Sequence, residues 1–198
     1  MAFLRSGSSI ELPWLIRGRG LLMRPPQPSD YSAWAELRAR SREHLIPWEP
    51  SWARDELSRS AFRRRLKIYQ QDMREDVGYA FLIWSSDETT LYGGLTLSNI
   101  RRGVAQTGTL GYWVGADHTR QGIMTRAVSA IIPYATHELR LHRIEAACLP
   151  HNHGSQTVLQ RCGFRHEGLA CGYLKINGMW RDHLLFGRIL DETGGGPL

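Results

Sequence analysis

Apolar and polar positions change rhythm along the chain. A short apolar run at Leu21 to Met23 predicts a strand, and Pro25, Pro26 and Pro28 then interrupt regular pairing because each lacks an amide hydrogen. Ser29 or Asp30 is placed to cap a helix carrying Tyr31, Trp34 and Leu37 on one face. A punctuated segment from His44 to Pro50 follows, and from Trp52 to Asp76 the stripe Leu57, Phe62, Leu66, Tyr69 and Met73 predicts a second helix.

Residues 78–84, 91–100 and 105–114 are rich enough in aliphatic and aromatic side chains to predict three successive strands. A helix fits Gln121 to Leu139, although Pro133 cannot bond back to Ser129 and predicts a kink. Arg143 to Leu149 reads as a buried strand, and Ser155 to Cys162 as a short helix with Asn152 as its cap. Phe164 to Ile176 and Trp180 to Leu190 form a strand pair around Asn177 and Gly178, a dipeptide suited to a tight hairpin. The resulting class is α+β, a mixed central sheet flanked by helices, with no internal repeat.

With 198 residues, of which 42% are hydrophobic and 22% charged, the chain can bury one core. Residues 1–190 are expected to form one domain, and the glycine-rich 191–198 a flexible tail. The net charge of +6 permits contact with nucleic acid, acidic protein or an anionic cofactor and selects none. Arg63, Arg64, Arg65 and Lys67 read first as a solvated helix face and second as a surface that meets ribosomal RNA or another acidic partner; no aromatic platform is interleaved for base recognition. Three cysteines without a paired spacing suggest a reducing compartment. No apolar stretch reaches the roughly 20 residues a membrane span needs, and Met1 to Glu11 is not apolar enough for a secretory signal, so the expected location is cytoplasmic, with no membrane partner.

The most informative block is Leu110-Gly111-Tyr112-Trp113-Val114-Gly115, followed by Thr119-Arg120-Gln121-Gly122-Ile123-Met124-Thr125. It couples a strand to a helix start. Gly122 permits close backbone approach, free amides at the helix entrance suit a pyrophosphate, and Arg120 adds positive charge. Neither GxGxxG nor GxxxxGK[ST] occurs, which excludes the common dinucleotide and phosphate-loop fingerprints. Open strand amides would instead pair with an amide-containing arm, a division of chemistry that fits coenzyme A.

These residues, with His44-Leu45-Ile46-Pro47-Trp48-Glu49-Pro50, Pro150-His151-Asn152-His153-Gly154-Ser155 and the run Tyr173 to His183, resemble the GNAT acetyltransferase family over nearly the whole chain. The resemblance implies the GNAT acyl-CoA N-acyltransferase fold and acetyl-CoA as donor, with CoA as product. It implies donor contacts from Tyr112, Trp113, Val114, from Thr119, Arg120, Gln121, Gly122, Ile123, Met124 and Thr125, and from Asn152 and Ser155. Thr119 and Met124 depart from the family's loop pattern, and Leu159 stands where a proton-donating tyrosine is common. For the ribosomal-protein branch, the implied acceptor is the amino-terminal alanine of a small-subunit ribosomal protein. Another amine, or a binding module without turnover, is the alternative.

For direct transfer to a neutral amine, Glu145 is the expected proton acceptor, because its strand should lie beside the donor strand; Glu49 and Glu167 are alternatives. Ser155, water or Tyr173 would protonate the leaving thiol. Trp48, Glu49 and Tyr173 are expected on the acceptor side, with Trp48 held between Pro47 and Pro50. Histidines 142, 151, 153, 166 and 183 show no HExxH pattern, so no metal is expected, and Cys148 and Cys162 read as core residues rather than acyl carriers.

Overall fold

The computed structural model describes residues 15–190; the expected tail at 191–198 and the segment Met1 to Glu11 lie outside the described residues. Eight strands form one sheet: β1 (Ile16–Gly18), β2 (Leu21–Arg24), β3 (Tyr79–Trp84), β4 (Leu91–Arg101), β5 (Thr107–Val114), β6 (Arg143–Cys148), β7 (Arg165–Ile176) and β8 (Met179–Ile189). Their order is β1-β2-β3-β4-β5-β6-β8-β7. Neighbours are antiparallel except β5 and β6, which run parallel. A parallel pair needs a crossover, and the helix α4 (Ile123–Pro133) lies in it.

Helices cover both faces of the centre, so every residue of β3 is buried. Ala127, Val128 and Ile131 of α4 pack with Phe81, Ile83, Leu95 and Leu97 in one cluster. Trp34 and Leu37 of α1 (Tyr31–Arg40), with Phe62 and Leu66 of α3 (Arg59–Arg74), pack with Leu82 and Trp84 on the other side. Fully burying each large side chain of this kind contributes about 1.5–3 kcal/mol. Short α2 (Arg42–Leu45) follows α1 directly, and α5 (His153–Arg161) follows β6.

Several boundaries differ from the sequence expectation. The second helix begins at Arg59 rather than near Trp52, because the Ser58 hydroxyl accepts the Ala61 amide at 3.1 Å and caps it. Asp30 does not cap α1 with its side chain; its carboxylate takes the Gln27 amide and a fork from Arg24. The helix expected from Gln121 starts at Ile123, after Gly122 in the left-handed region at φ 69°. Pro133 ends α4, and the chain widens into a π turn, Tyr134–Glu138, where the Leu139 amide reaches Tyr134 O at 3.1 Å. The hairpin turn is as expected, with Asn177 and Gly178 both at positive φ.

Candidate active site

The β5–β6 ladder covers Thr107↔Arg143 to Thr109↔Glu145 and goes no further. Beyond it β5 stays paired with β4 as far as Val114, and β6 with β8 as far as Cys148. Each strand is held from its outer side, so the two diverge and open a cavity of about 770 Å³. Leu110 to Val114 line one wall, and Ala146 to Leu149 the other. This volume lies in the range of about 300–1,000 Å³ typical of small-molecule sites.

One end of the cavity is built for an anion. Arg120 and Gly122 both take positive φ, at 59° and 69°, folding the loop back on the start of α4. Arg126 is the first residue of α4 to bond back, to Gly122 O at 3.0 Å, so the amides before it have no intrahelical partner. Those amides and the Arg120 side chain favour negative charge at this entrance. Arg126 Nη1 also holds Gln121 O at 2.9 Å, and the Gln121 side chain donates to Asp117 O at 3.0 Å, which fixes the loop.

At the reacting end, Asn152 caps α5 by accepting the Ser155 amide at 3.0 Å, which sets Ser155 facing β5. The Tyr112 and Ser155 hydroxyls lie 2.8 Å apart. Burial pushes the Tyr112 phenol well above its ordinary range, with Ser155 opposing the shift, so the group stays protonated at neutral pH. Cys148 lines the same wall, and burial raises its thiol too; a thiol held protonated is a poor nucleophile.

A second cavity, about 380 Å³, lies toward α1 and α3, lined in part by Trp34, Arg38, Trp52, Phe62 and Tyr69. Glu49, Gly111, Tyr112 and Trp113 line both cavities and form their junction. The Glu49 carboxylate is forked by Arg38 at 2.6 and 3.1 Å, and its Oε2 also takes the Trp52 indole N–H at 2.8 Å. Gly94 makes room for Trp113, since a Cβ there would stand 2.5 Å from the indole nitrogen.

The residues expected to contact the donor fall together: Tyr112, Trp113, Val114, Thr119, Arg120, Gly122, Ile123, Met124, Thr125, Asn152 and Ser155 all line the larger cavity, as do Trp48 and Glu49. Gln121 does not; its side chain serves the loop instead. Tyr173 is a correction: it lines neither cavity and sits half-exposed on the hairpin against the His183 ring, while Leu174, Ile176 and His183 face the site. Glu145 is a second correction. It sits where the strands are still paired, lines neither cavity, and its carboxylate is taken by Arg143 at 3.1 Å and Arg101 at 3.6 Å. Glu167 is likewise forked by Arg143, which holds its carboxyl below the usual range.

Sequence reasoning missed Arg38, although its place four residues after Trp34 and one after Leu37 puts it on the buried face of α1. Among the described residues no three His, Cys, Asp or Glu side chains converge as a metal site, and no helix is long and apolar enough to cross a membrane.

An open strand edge ending at an anion-binding helix entrance defines a transferase site for a long, phosphate-bearing acyl carrier. The comparisons agree. The acetyltransferase (GNAT) domain family model matches residues 20–165, and the chain belongs to that family. The chain is 37% identical to the probable N-acetyltransferase YjcK of Bacillus subtilis over 169 residues, 85% of this chain and 93% of that protein. It is 35% identical to the [ribosomal protein uS5]-alanine N-acetyltransferase of Escherichia coli over 158 residues, covering 79% of this chain and 81% of that one. Among solved structures, the ribosomal-protein-S5-alanine acetyltransferase of Vibrio fischeri superposes with a TM-score of 0.83 at 32% identity, covering 90% of this chain and 97% of its own. Mycobacterium smegmatis RimJ in complex with CoA-disulfide gives 0.84 at 32% identity, with 91% and 88% covered.

Proposed function

We propose that the protein transfers the acetyl group of acetyl-CoA to a protein amino-terminal amine, with the amino-terminal alanine of a small-subunit ribosomal protein as its acceptor. The observation that carries this reading is the junction at Glu49, Gly111, Tyr112 and Trp113, where a cavity suited to the donor meets a separate cavity for the acceptor. The similarity to the Escherichia coli and Vibrio fischeri alanine acetyltransferases supports the choice of acceptor.

Each part of the donor site has a physical role. The loop from Thr119 and the first turn of α4 hold the pyrophosphate, and the open edge of β5 from Leu110 to Val114 supplies backbone groups to the pantetheine arm. Bound acetyl-CoA supplies a thioester, with its carbonyl carbon as electrophile and its thiolate as leaving group. Ser155 donates a proton to the sulfur, and Tyr112, 2.8 Å behind it, restores that proton from a phenol kept neutral by burial. A free α-amine, with pKa about 7.7–8.0, is partly neutral at pH 7 and needs only a modest proton acceptor.

On α3, Arg63, Arg64 and Lys67 are exposed; Arg64 is paired with Asp55, and Arg65 is paired with Glu56 and lines the acceptor cavity. Arg63 and Lys67 offer phosphate contacts when the enzyme approaches ribosomal RNA in the cytoplasm. Mass spectrometry after incubation with acetyl-CoA and ribosomal-protein amino-terminal peptides tests the reading. A gain of one acetyl on the alanine-starting peptide is expected, and turnover of unrelated amines without that peptide would reject the acceptor.

A further inference from the structure

Glu49 is the only carboxylate among the residues that line both cavities. Its position is fixed from three directions. Arg38 forks it from α1, the Trp52 indole donates to Oε2, and its main-chain carbonyl accepts the Asn177 amide from the β7–β8 hairpin at 2.9 Å. Arg38 is itself caged, with its guanidinium carbon 4.6 Å from the Trp52 ring centre, 5.0 Å from Trp113 and 5.7 Å from Trp34. Oε2 carries two of the three hydrogen bonds and Oε1 only the longer Arg38 contact, so Oε1 keeps acceptor capacity.

The geometry points to Glu49 as a catalytic residue, whose Oε1 accepts the proton shed by the attacking amine, and to Arg38 as the residue that positions it. The inference rests on the acetyl-transfer reading and names the proton acceptor that reading needs. The amine nitrogen forms a bond to the acetyl carbon as the carbon–sulfur bond breaks. One N–H proton goes to Glu49, the sulfur receives one from Ser155, Tyr112 reprotonates Ser155, and proton exchange with water restores Glu49 and Tyr112. The products are the acetylated amine and CoA thiol.

Other charged groups around the junction do not compete for this role. Glu56 is paired with Arg65 and faces the acceptor cavity alone; these two, with Tyr69 and the shared Tyr112, are the titratable and charged groups there besides Arg38 and Glu49. On the donor side, His44, His118 and His183 line the larger cavity alone, with His183 Nδ1 held at Arg181 O at 3.0 Å, so none of the three stands at the junction. Arg120 and Arg161 serve the donor cavity as cations.

The test measures kcat/KM against pH, using whichever amine the wild-type enzyme acetylates, together with acetyl-CoA affinity by calorimetry. Glu49→Gln keeps a carbonyl acceptor for Arg38 and is expected to lower kcat/KM about 100-fold at pH 7, a loss that shrinks above pH 9 as hydroxide replaces the base. Acetyl-CoA affinity should stay within about threefold, because only the junction is touched. Glu49→Asp should recover about tenfold over Glu49→Gln. Arg38→Lys should lower kcat/KM on its own, yet add nothing to Glu49→Gln, since it acts through that carboxylate. A Glu49→Gln enzyme within threefold of wild type at pH 7, or a loss independent of pH and equal in Glu49→Asp, overturns the assignment. Should Glu49→Gln lose its thermal transition, Glu49→Asp carries the test: wild-type rates or a pH-independent loss overturn it. Failure of alanine-starting peptides, with another amine accepted, sinks only the acceptor; an enzyme that acetylates no amine overturns both.

Discussion

The Arg38–Glu49 pair makes a quantitative prediction about stability that is separate from rate. The Arg38 side chain is 6% exposed and that of Glu49 20%, so the pair is largely removed from water. Removing one partner of such a pair costs about 3–5 kcal/mol, because the other charge is left buried. Arg38→Met leaves Glu49 able to draw water from the cavities but forfeits the contacts with three indoles, worth about 0.5–1 kcal/mol each. Glu49→Leu keeps those contacts and strands the more deeply buried cation.

The two single changes are therefore expected to cost about 3 kcal/mol each, and the double change about 2–3 kcal/mol, since it buries no unpaired charge. The coupling is then about 3 kcal/mol, well above the 0.5 kcal/mol expected of independent sites. Urea unfolding at pH 7 measures all three, and each single change should lower Tm by roughly 6–12 °C for a domain of this size. Additive losses would refute the claim that the pair is a buried unit, and with it the view that Arg38 sets the carboxylate.

Three further outcomes are expected. Tyr112→Phe should lower kcat about tenfold and Ser155→Ala about 100-fold with acetyl-CoA affinity kept, as read by steady-state kinetics and calorimetry; equal losses of affinity would make these residues binding groups only. Gly122→Val should weaken acetyl-CoA about 5- to 30-fold, since a left-handed conformation costs a side-chain-bearing residue about 1–2 kcal/mol. Unchanged calorimetric affinity would show that the loop does not need φ 69° to bind. On the alkaline side, burial and the bond to Asp76 raise the Tyr79 phenol to about 12. A raised folded-state value favours the protonated form, so this contribution is whole below the unfolded value of about 10 and is lost as pH rises toward 12. Urea unfolding between pH 9 and 12 should fall less steeply in Tyr79→Phe, and an unchanged slope would count against that linkage.

Local signals made much of the fold legible. The apolar run of β3, the Asn177-Gly178 hairpin and the Asn152 cap follow from short-range chemistry and lie where the sequence puts them. So does the donor strand with its loop, because strand, Gly122 and amphipathic helix are contiguous. The acceptor side was legible only in part. Glu49 and Glu145 look alike in one dimension, and what separates them is strand register: Glu145 falls on the last paired rung, where Arg143 and Arg101 reach it. Arg38 and Glu49 are eleven residues apart and meet only because α1 and the loop after α2 fold over β4 and β5. Tyr173 was misplaced by the shifted pairing between Ala170 and Leu174, which breaks the simple alternation of faces along β7.

The site follows from where one ladder stops. Had β5 and β6 stayed paired to Val114 and Cys148, the amides along Leu110 to Val114 would be spent within the sheet and no carrier could enter. Each strand instead has a full partner on its outer side, β4 for one and β8 for the other, so parting them costs only the rungs between them. A net backbone hydrogen bond is worth about 0.5–1.5 kcal/mol, and groups facing an open cavity can turn to water, so the core built on β3 and α4 can bear the loss. The exposed edge is then a template on which an amide-bearing arm restores the missing bonds. The same parting brings Gly111, Tyr112 and Trp113 to the boundary between the cavities, opposite Glu49, so donor binding and amine activation depend on one structural choice.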